Sequence, residues 1–256
     1  MTVRLLDPRT FPVELIASLV HALPPTGVAL EVADLPGGSE AVEWLNAHGR
    51  SARLVPAPEV PHQTRLWEPS PGLKAFLQVS PPPQPPLRDE PLEEGALRAL
   101  DLACGTGRDA VWLAMHGWRV TAVDILPDAL DRAQALAELH DVTLDLRCLD
   151  VTRDPLPKGP FDLVCAFRYL PPLDLMASVL APGGTLLVET FTDRERDRTG
   201  KPRDVSLVLP SAGPPDLPKG MVLLDYRIAS YNGRELATLS SRAETNQKIL
   251  PEEGHF

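Results

Sequence analysis

The sequence predicts an α/β fold: a doubly wound, mostly parallel seven-stranded sheet ending in an antiparallel hairpin, with a small α/β module ahead of it. Three observations carry this prediction. From Ala96 onward, strand-sized apolar runs alternate with segments of helical period, the pattern of repeated β-α units that build a helix-covered parallel sheet. The stretch "ALDLACGTGRDAVWLA" (residues 99–114) sets glycines between a strand and a helix, where the first β-α turn of such a sheet falls. The last two strand-like runs, 221–229 and 234–242, are joined through "YNG", an Asn-Gly hairpin signal.

The elements follow in order. Residues 1–56 have an α/β rhythm of their own. Residues 3–6 read as a strand, 12–23 as a helix on the spacing of Val13, Leu15, Ile16, Leu19 and Val20, and 28–33 as a buried strand. Ser39 is placed to cap a helix over 40–48 that Gly49 ends, and 52–55 reads as a third strand. This order resembles half of a rhodanese-like domain. That family carries a reactive cysteine in the loop corresponding to residues 34–40, and no cysteine stands there. Sulfur transfer needs a thiolate to hold the persulfide, so the resemblance implies a packing or regulatory module with the chemistry lost.

Residues 57–95 form a proline-dense linker that peaks in "SPPPQPPLRDEP", a run that favours polyproline II and acts as a semi-rigid spacer. Within it, "RLWEPSPGLKAFL" (65–77) differs: Trp67, Leu73, Phe76 and Leu77 make a short amphipathic element. It serves either as a hydrophobic anchor on the following domain or as a lid over its site. The main domain spans 96–243. Its strands are expected at 99–103, 119–124, 143–148, 161–167 and 185–191, and its helices at 108–116, 127–140 and 174–180. A polar tail, 244–256, follows.

Bulk properties exclude several function classes. The formal net charge of −10 argues against an extended phosphate-binding face, because nucleic-acid affinity comes mostly from lysine and arginine. No apolar run is long enough to cross a bilayer, and the charged start "MTVRLLDPRT" lacks a secretory h-region, so a cytoplasmic protein without a membrane role is expected. Cys104, Cys148 and Cys165 form no CxxC pair, and the latter two fall in predicted strands as buried, inert thiols. None of the six histidines has a metal-ligand spacing, so no metal is expected.

The glycine turn invites a dinucleotide, whose pyrophosphate would sit on the helix N-terminus. Asp101 at the strand end and Asp109 in the first helical turn oppose an anion there. S-adenosylmethionine (SAM) has no phosphate and carries a sulfonium and an ammonium, so these carboxylates favour it. Asp124 ends the second strand, where a carboxylate accepts from both ribose hydroxyls; NAD enzymes use the same device, so it does not discriminate. Asp150 in "RCLDV" is placed to accept from an adenine amino group, with Leu149 and Val151 flanking the ring. Each acid alone also fits a surface residue or a helix cap.

"LDLACGTGRDA", "VTAVDIL", "RCLDV", "FDLVCAFRYLPP" and "LAPGGTLLVETF" come in the order and spacing of class I SAM-dependent methyltransferases, and the similarity covers residues 96–242. The GxGRD variant, "FRYLPP" and "ETFTDRE…GKPRD" resemble the tellurite-resistance-type group, in which a rhodanese-like segment precedes some members. The resemblance implies a Rossmann-like methyltransferase fold with SAM as cofactor. It implies that Asp101, Ala103, Gly105 and Gly107 surround the methionine part, with Arg108 at its carboxylate. It also implies Asp124 and Ile125 at the ribose, Asp150 and Val151 at the adenine, and Ala166 and Phe167 at the sulfonium and methyl. The "PGG" at 182–184 would be a structural turn before the fifth strand.

Methyl transfer from a sulfonium needs alignment and exclusion of water more than a dedicated base. The acceptor is therefore less legible than the donor. An NPPY-like signature and a CxxC are both absent, which with the acidic charge favours a small-molecule acceptor over nucleic acid. Tyr169 and Arg168 are the candidate catalytic residues, one to orient a nucleophile and one to recognise an anion; core packing and a surface ion pair are their alternatives. The charged segment 192–204 is either a lid or a solvated loop. A non-catalytic SAM-binding regulatory or scaffold protein and an NAD(P)-dependent oxidoreductase stand as the other functional readings.

Overall fold

The computed structural model describes residues 4–61, 65–79 and 95–245. Val3, the proline-rich peak and all but the start of the polar tail lie outside the described residues. Two sheets are present. The first is small and parallel, in the order β1 (Arg4–Leu6), β2 (Leu30–Ala33), β3 (Ala52–Val55), with α1 (Gly38–Ala47) connecting the last two. Two of its expected details are corrected. Residues 12–23 do not form one helix but two short 3-10 turns, Val13–Leu15 and Val20–Ala22, closed mainly by i→i+3 bonds such as Ile16 N–H to Val13 O. The apolar spacing still buries Ile16, Leu19, Ala22 and Leu23. Pro12, Pro24 and Pro25 bound the segment and stop a helix from extending at either end.

Ser39 is likewise not a cap. The helix starts two residues earlier than expected, at Gly38, with Gly37 at the N-cap in the left-handed region (φ 85°). A Cβ on Gly38 would lie 2.5 Å from the Ala33 carbonyl oxygen, so glycine there lets the helix start against the strand end.

After α2 (Pro71–Val79) come β4 (Arg98–Leu102), α3 (Arg108–Met115), β5 (Arg119–Asp124), α4 (Pro127–Leu139), β6 (Asp145–Cys148) and β7 (Phe161–Phe167). Then follow α5 (Leu173–Ala177), β8 (Leu180–Phe191), α6 (Asp193–Thr199), β9 (Met221–Tyr231) and β10 (Arg234–Ala243). The sheet order is β6-β5-β4-β7-β8-β10-β9, parallel through β8 and antiparallel at β10 and β9. This is the doubly wound, Rossmann-like sheet with a terminal hairpin. The "PGG" glycine Gly183 (φ 78°) lies inside the early, irregular part of β8. The segment 192–204 is not a plain loop: Thr192 accepts from the Glu195 N–H and caps α6.

Strand alternation sends side chains to two cores. Ala99, Val120, Ala122, Leu163 and Leu187 face one side, and Leu100, Leu102, Val123, Val164 and Val188 the other. The first core also contains Leu113 and Leu136 of α3 and α4, Leu6, Leu30 and Leu45 of the small module, and Trp67, Leu73 and Phe76. The module and residues 66–77 thus add to the layer over α3 and α4. Cys165 is buried as expected, but Cys148 is exposed, at the end of the outer edge strand β6.

Candidate functional site

The site grows from the turn after β4. Ala103 (φ 57°), Gly105 (φ 55°) and Gly107 (φ 78°) carry the chain through the left-handed region and into α3. Gly107 is required by packing as well: a Cβ there would lie 2.6 Å from the Ala133 Cβ of α4. A Cβ on Gly105 would meet nothing within 4 Å, so the space over the turn is open. Asp124, at the end of β5, holds the turn: its Oδ2 accepts from the Gly105 N–H at 2.8 Å and its Oδ1 from the Leu126 N–H at 3.0 Å.

Asp101 lies beneath the turn at 1% exposure, and its Oδ2 has no hydrogen-bond partner among the described residues. Burial, with the nearby charges of Asp109 and Asp124, pushes its carboxyl well above the ordinary carboxylate range. Asp109 is also raised by desolvation, although its Oδ1 and Oδ2 accept from the Ser70 N–H at 2.6 Å and hydroxyl at 2.9 Å. Burial and the charges of Asp101 and Asp124 push the Cys104 thiol far up, so it is no thiolate at neutral pH. A buried carboxyl with one oxygen unpaired, beside two further acids, fits a cationic ligand, which offsets the burial and the neighbouring charges that disfavour its charged form.

The turn opens on a cavity of about 830 Å³. Residues 103–106 with Arg108 and Asp109 form one wall, and Phe167, Arg168 and Tyr169 continue it at the end of β7. Residues 66–71 and segments 23–25 and 27–29 of the small module line the cavity as well. Tyr231, Asn232 and Arg234 reach in from the hairpin between β9 and β10, beside Phe191 and Leu236. Of the residues expected at the cofactor, Ala103, Gly105, Arg108 and Phe167 line this cavity, as do Arg168 and Tyr169. Asp101, Gly107 and Asp124 support the turn from below or behind.

The remaining cofactor residues lie elsewhere. Ala166 is fully buried in the sheet, and Ile125 is 56% exposed. Val151 follows β6 beside Asp150, whose Oδ1 accepts from the Thr152 N–H at 2.9 Å and hydroxyl at 2.6 Å. Those bonds hold the Asp150 carboxyl below its ordinary value. Asp124 and Asp150 lie near one another along the sheet, at and just beyond the paired ends of β5 and β6.

Burial, with the charges of Asp150 and Asp204, raises the Tyr169 phenol, so it stays protonated at neutral pH. Arg168 follows β7 in the left-handed region (φ 64°) and its Nη1 donates to the buried Glu189. Glu189 Oε2 also accepts from the Gly72 N–H at 2.6 Å and the Thr238 hydroxyl at 3.2 Å. The sequence reading did not single out Glu189, Ser70 or the hairpin tip. The "YNG" signal placed the hairpin, but not its contact with the site.

The fold is a Rossmann-like sheet whose first β-α turn opens on the cavity. Residues 99–184 match the family described as "Methyltransferase domain". A ubiquinone biosynthesis O-methyltransferase from Marinobacter nauticus is 30% identical over 142 residues, covering 50% of this chain and 58% of that protein. A ribosomal protein L11 methyltransferase from Burkholderia mallei is 38% identical over 105 residues, covering 38% of this chain and 33% of that protein. The matches thus span between a third and about three-fifths of these relatives' length. Among solved structures, TehB from Haemophilus influenzae has a TM-score of 0.50 at 15% identity, covering 72% of this chain and 64% of that one. A structure described as the conversion of a disulfide bond into a thioacetal group during echinomycin biosynthesis has a TM-score of 0.52 at 19% identity, covering 70% and 84%. Both likenesses are of fold.

Proposed function

We propose that the protein transfers the methyl group of SAM to a small-molecule acceptor by in-line displacement. The observation that carries this reading is the set of carboxylates at the glycine turn, with Asp101 Oδ2 buried and unpaired. Bound SAM supplies a methyl group already activated on a sulfonium. The chain's own part is to hold, align and exclude water. Asp101, Ala103, Gly105 and Gly107 form the cradle for the methionine part, and Arg108 takes its carboxylate. Asp124 and Ile125 serve the ribose, Asp150 and Val151 the adenine, and Ala166 and Phe167 the methyl end. Tyr169, kept protonated, donates a hydrogen bond to the acceptor and is not a base.

The cavity volume supports a small acceptor, because about 830 Å³ lies in the upper part of the usual range for small-molecule sites. The motifs "FRYLPP" and "ETFTDRE" support placement in the tellurite-resistance-type group, and the cysteine-free loop at 34–40 supports a rhodanese-like module kept for packing. We divide the chain at 1–56, 57–95, 96–243 and 244–256, and assign it to the cytoplasm; no helix among the described residues is long and apolar enough to cross a membrane.

Turnover tests the reading. Purified protein incubated with SAM and a panel of thiols, phenols, amines, selenite and tellurite is followed by mass spectrometry. Acceptor-dependent S-adenosylhomocysteine (SAH) and a product heavier by one methylene are expected. SAM binding without turnover by any acceptor supports the non-catalytic alternative.

A further inference from the structure

The chain is strongly acidic, with a net charge of −10, yet four arginines line the main cavity against two acids, Glu68 and Asp109. Two of the four have other roles. Arg4 is engaged with Glu68 and with the Arg65 carbonyl oxygen. Arg108 stands on the glycine-turn side, at the first position of α3. The other two, Arg168 and Arg234, converge on one aromatic ring: their guanidinium carbons lie 5.9 Å and 4.5 Å from the Phe191 ring centre.

Each guanidinium is fixed from behind by a buried carboxylate. Arg168 Nη1 donates to Glu189, and Arg234 Nε donates to Glu195; both glutamates are 2% exposed. Among the described residues, neither side chain makes another hydrogen bond to the protein. Arg168 keeps Nε and Nη2 available, and Arg234 keeps both terminal nitrogens. An arginine held through one nitrogen is pre-organised, and its remaining N–H groups match the oxygens of a carboxylate. Phe167, Phe191 and Leu236 add apolar surface beside them.

We propose that Arg168 and Arg234, set over Phe191, bind the carboxylate of an organic acid whose apolar body lies on this wall, and that this acid is the methyl acceptor through a second, nucleophilic group: its lone pair bonds the methyl carbon as the methyl–sulfur bond of SAM breaks, SAH leaves, and the nucleophile's proton passes to solvent. The proposal rests on the methyl-transfer reading of the cavity and adds the acceptor's chemical class. Arg168 directly follows Phe167, so an acid held here sits beside the residue assigned to the methyl end.

The test is calorimetry on the full chain in two stages. SAH is titrated first. Benzoate, benzamide and inorganic phosphate are then each titrated into the SAH-saturated protein. Benzoate is expected to bind at least ten-fold tighter than either of the others. Arg234→Gln leaves Glu195 paired with Arg198, and Arg168→Lys leaves Glu189 a cation, so neither change orphans a buried charge. Each variant is expected to lose the preference for benzoate by at least five-fold while SAH affinity stays within two-fold, which also reports that the fold is intact. Equal affinity for benzoate and benzamide, phosphate binding as tight as benzoate, or a preference that survives in both variants overturns the proposal. Failure of the wild-type protein to bind SAH contradicts the methyl-donor reading instead, and shows in the first stage before any acid is added.

Discussion

Asp101 is a buried carboxyl whose ionisation works against the fold. Its carboxyl is raised by burial and by neighbouring acids, so the native state holds a proton that the unfolded chain releases. Its contribution is therefore favourable at pH below the ordinary carboxylate range and is lost as pH rises through and above that range. Asp109 is shifted in the same direction. Asp101→Asn removes the ionisable group while keeping its shape. Thermal melts between pH 4 and pH 8 are expected to show the variant gaining stability on the wild type as pH rises, with weaker SAM binding at neutral pH. A variant that melts in parallel with the wild type across this range contradicts the assignment. Asp101, Asp109 and Asp124 were legible in the sequence because strand ends and helix starts fix where such side chains go. That Asp109 also grips Ser70 was not, since the partners lie 39 residues apart across a linker.

At the scale of elements, residues 66–79 form a strap held by two carboxylates. Asp109 binds Ser70, and Glu189 binds the Gly72 N–H. Gly72 is tightly seated: a Cβ there would lie 2.8 Å from Glu189 Oε2. Trp67 is 1% exposed, and its indole N–H meets His140 Nε2 at 3.0 Å. The sequence left anchor and lid as alternatives; Trp67, Leu73 and Phe76 anchor the strap in the core, and residues 66–71 line the cavity. Ser70→Ala removes one hydrogen bond to Asp109, a loss of about 1 kcal/mol. Hydrogen exchange is expected to quicken in residues 66–79 and to stay unchanged in β4, β5 and β7. Uniform change across the chain would show that the strap is not a separable unit. Helical period alone misled at residues 12–23, where flanking prolines and i→i+3 bonds produce 3-10 turns around the same buried side chains.

Across the whole molecule, the site is assembled from parts far apart in sequence. The glycine turn, the end of β7, the strap, segments 23–29 of the small module and the β9–β10 hairpin tip meet at one cavity. Local signals, such as "GTGRD" and "YNG", revealed the individual parts. Their meeting depends on the shared core that runs from Leu6 and Leu45 to Leu113 and Leu136, and no local pattern encodes that contact. The wall of Arg168, Phe191 and Arg234 was legible only in part for the same reason: the sequence offered Arg168 as a candidate, but the three residues come from three different strand ends. The central claim is that the acidic glycine turn selects a cationic methyl donor over an anionic dinucleotide. Calorimetric titration with SAM, SAH and NADH tests it most directly. SAM and SAH are expected to bind, NADH is not, and Asp124→Ala is expected to weaken SAM binding by at least ~1 kcal/mol, the scale of a lost hydrogen bond to a charged group. Tight binding of NADH with no response to SAM or SAH would contradict the account.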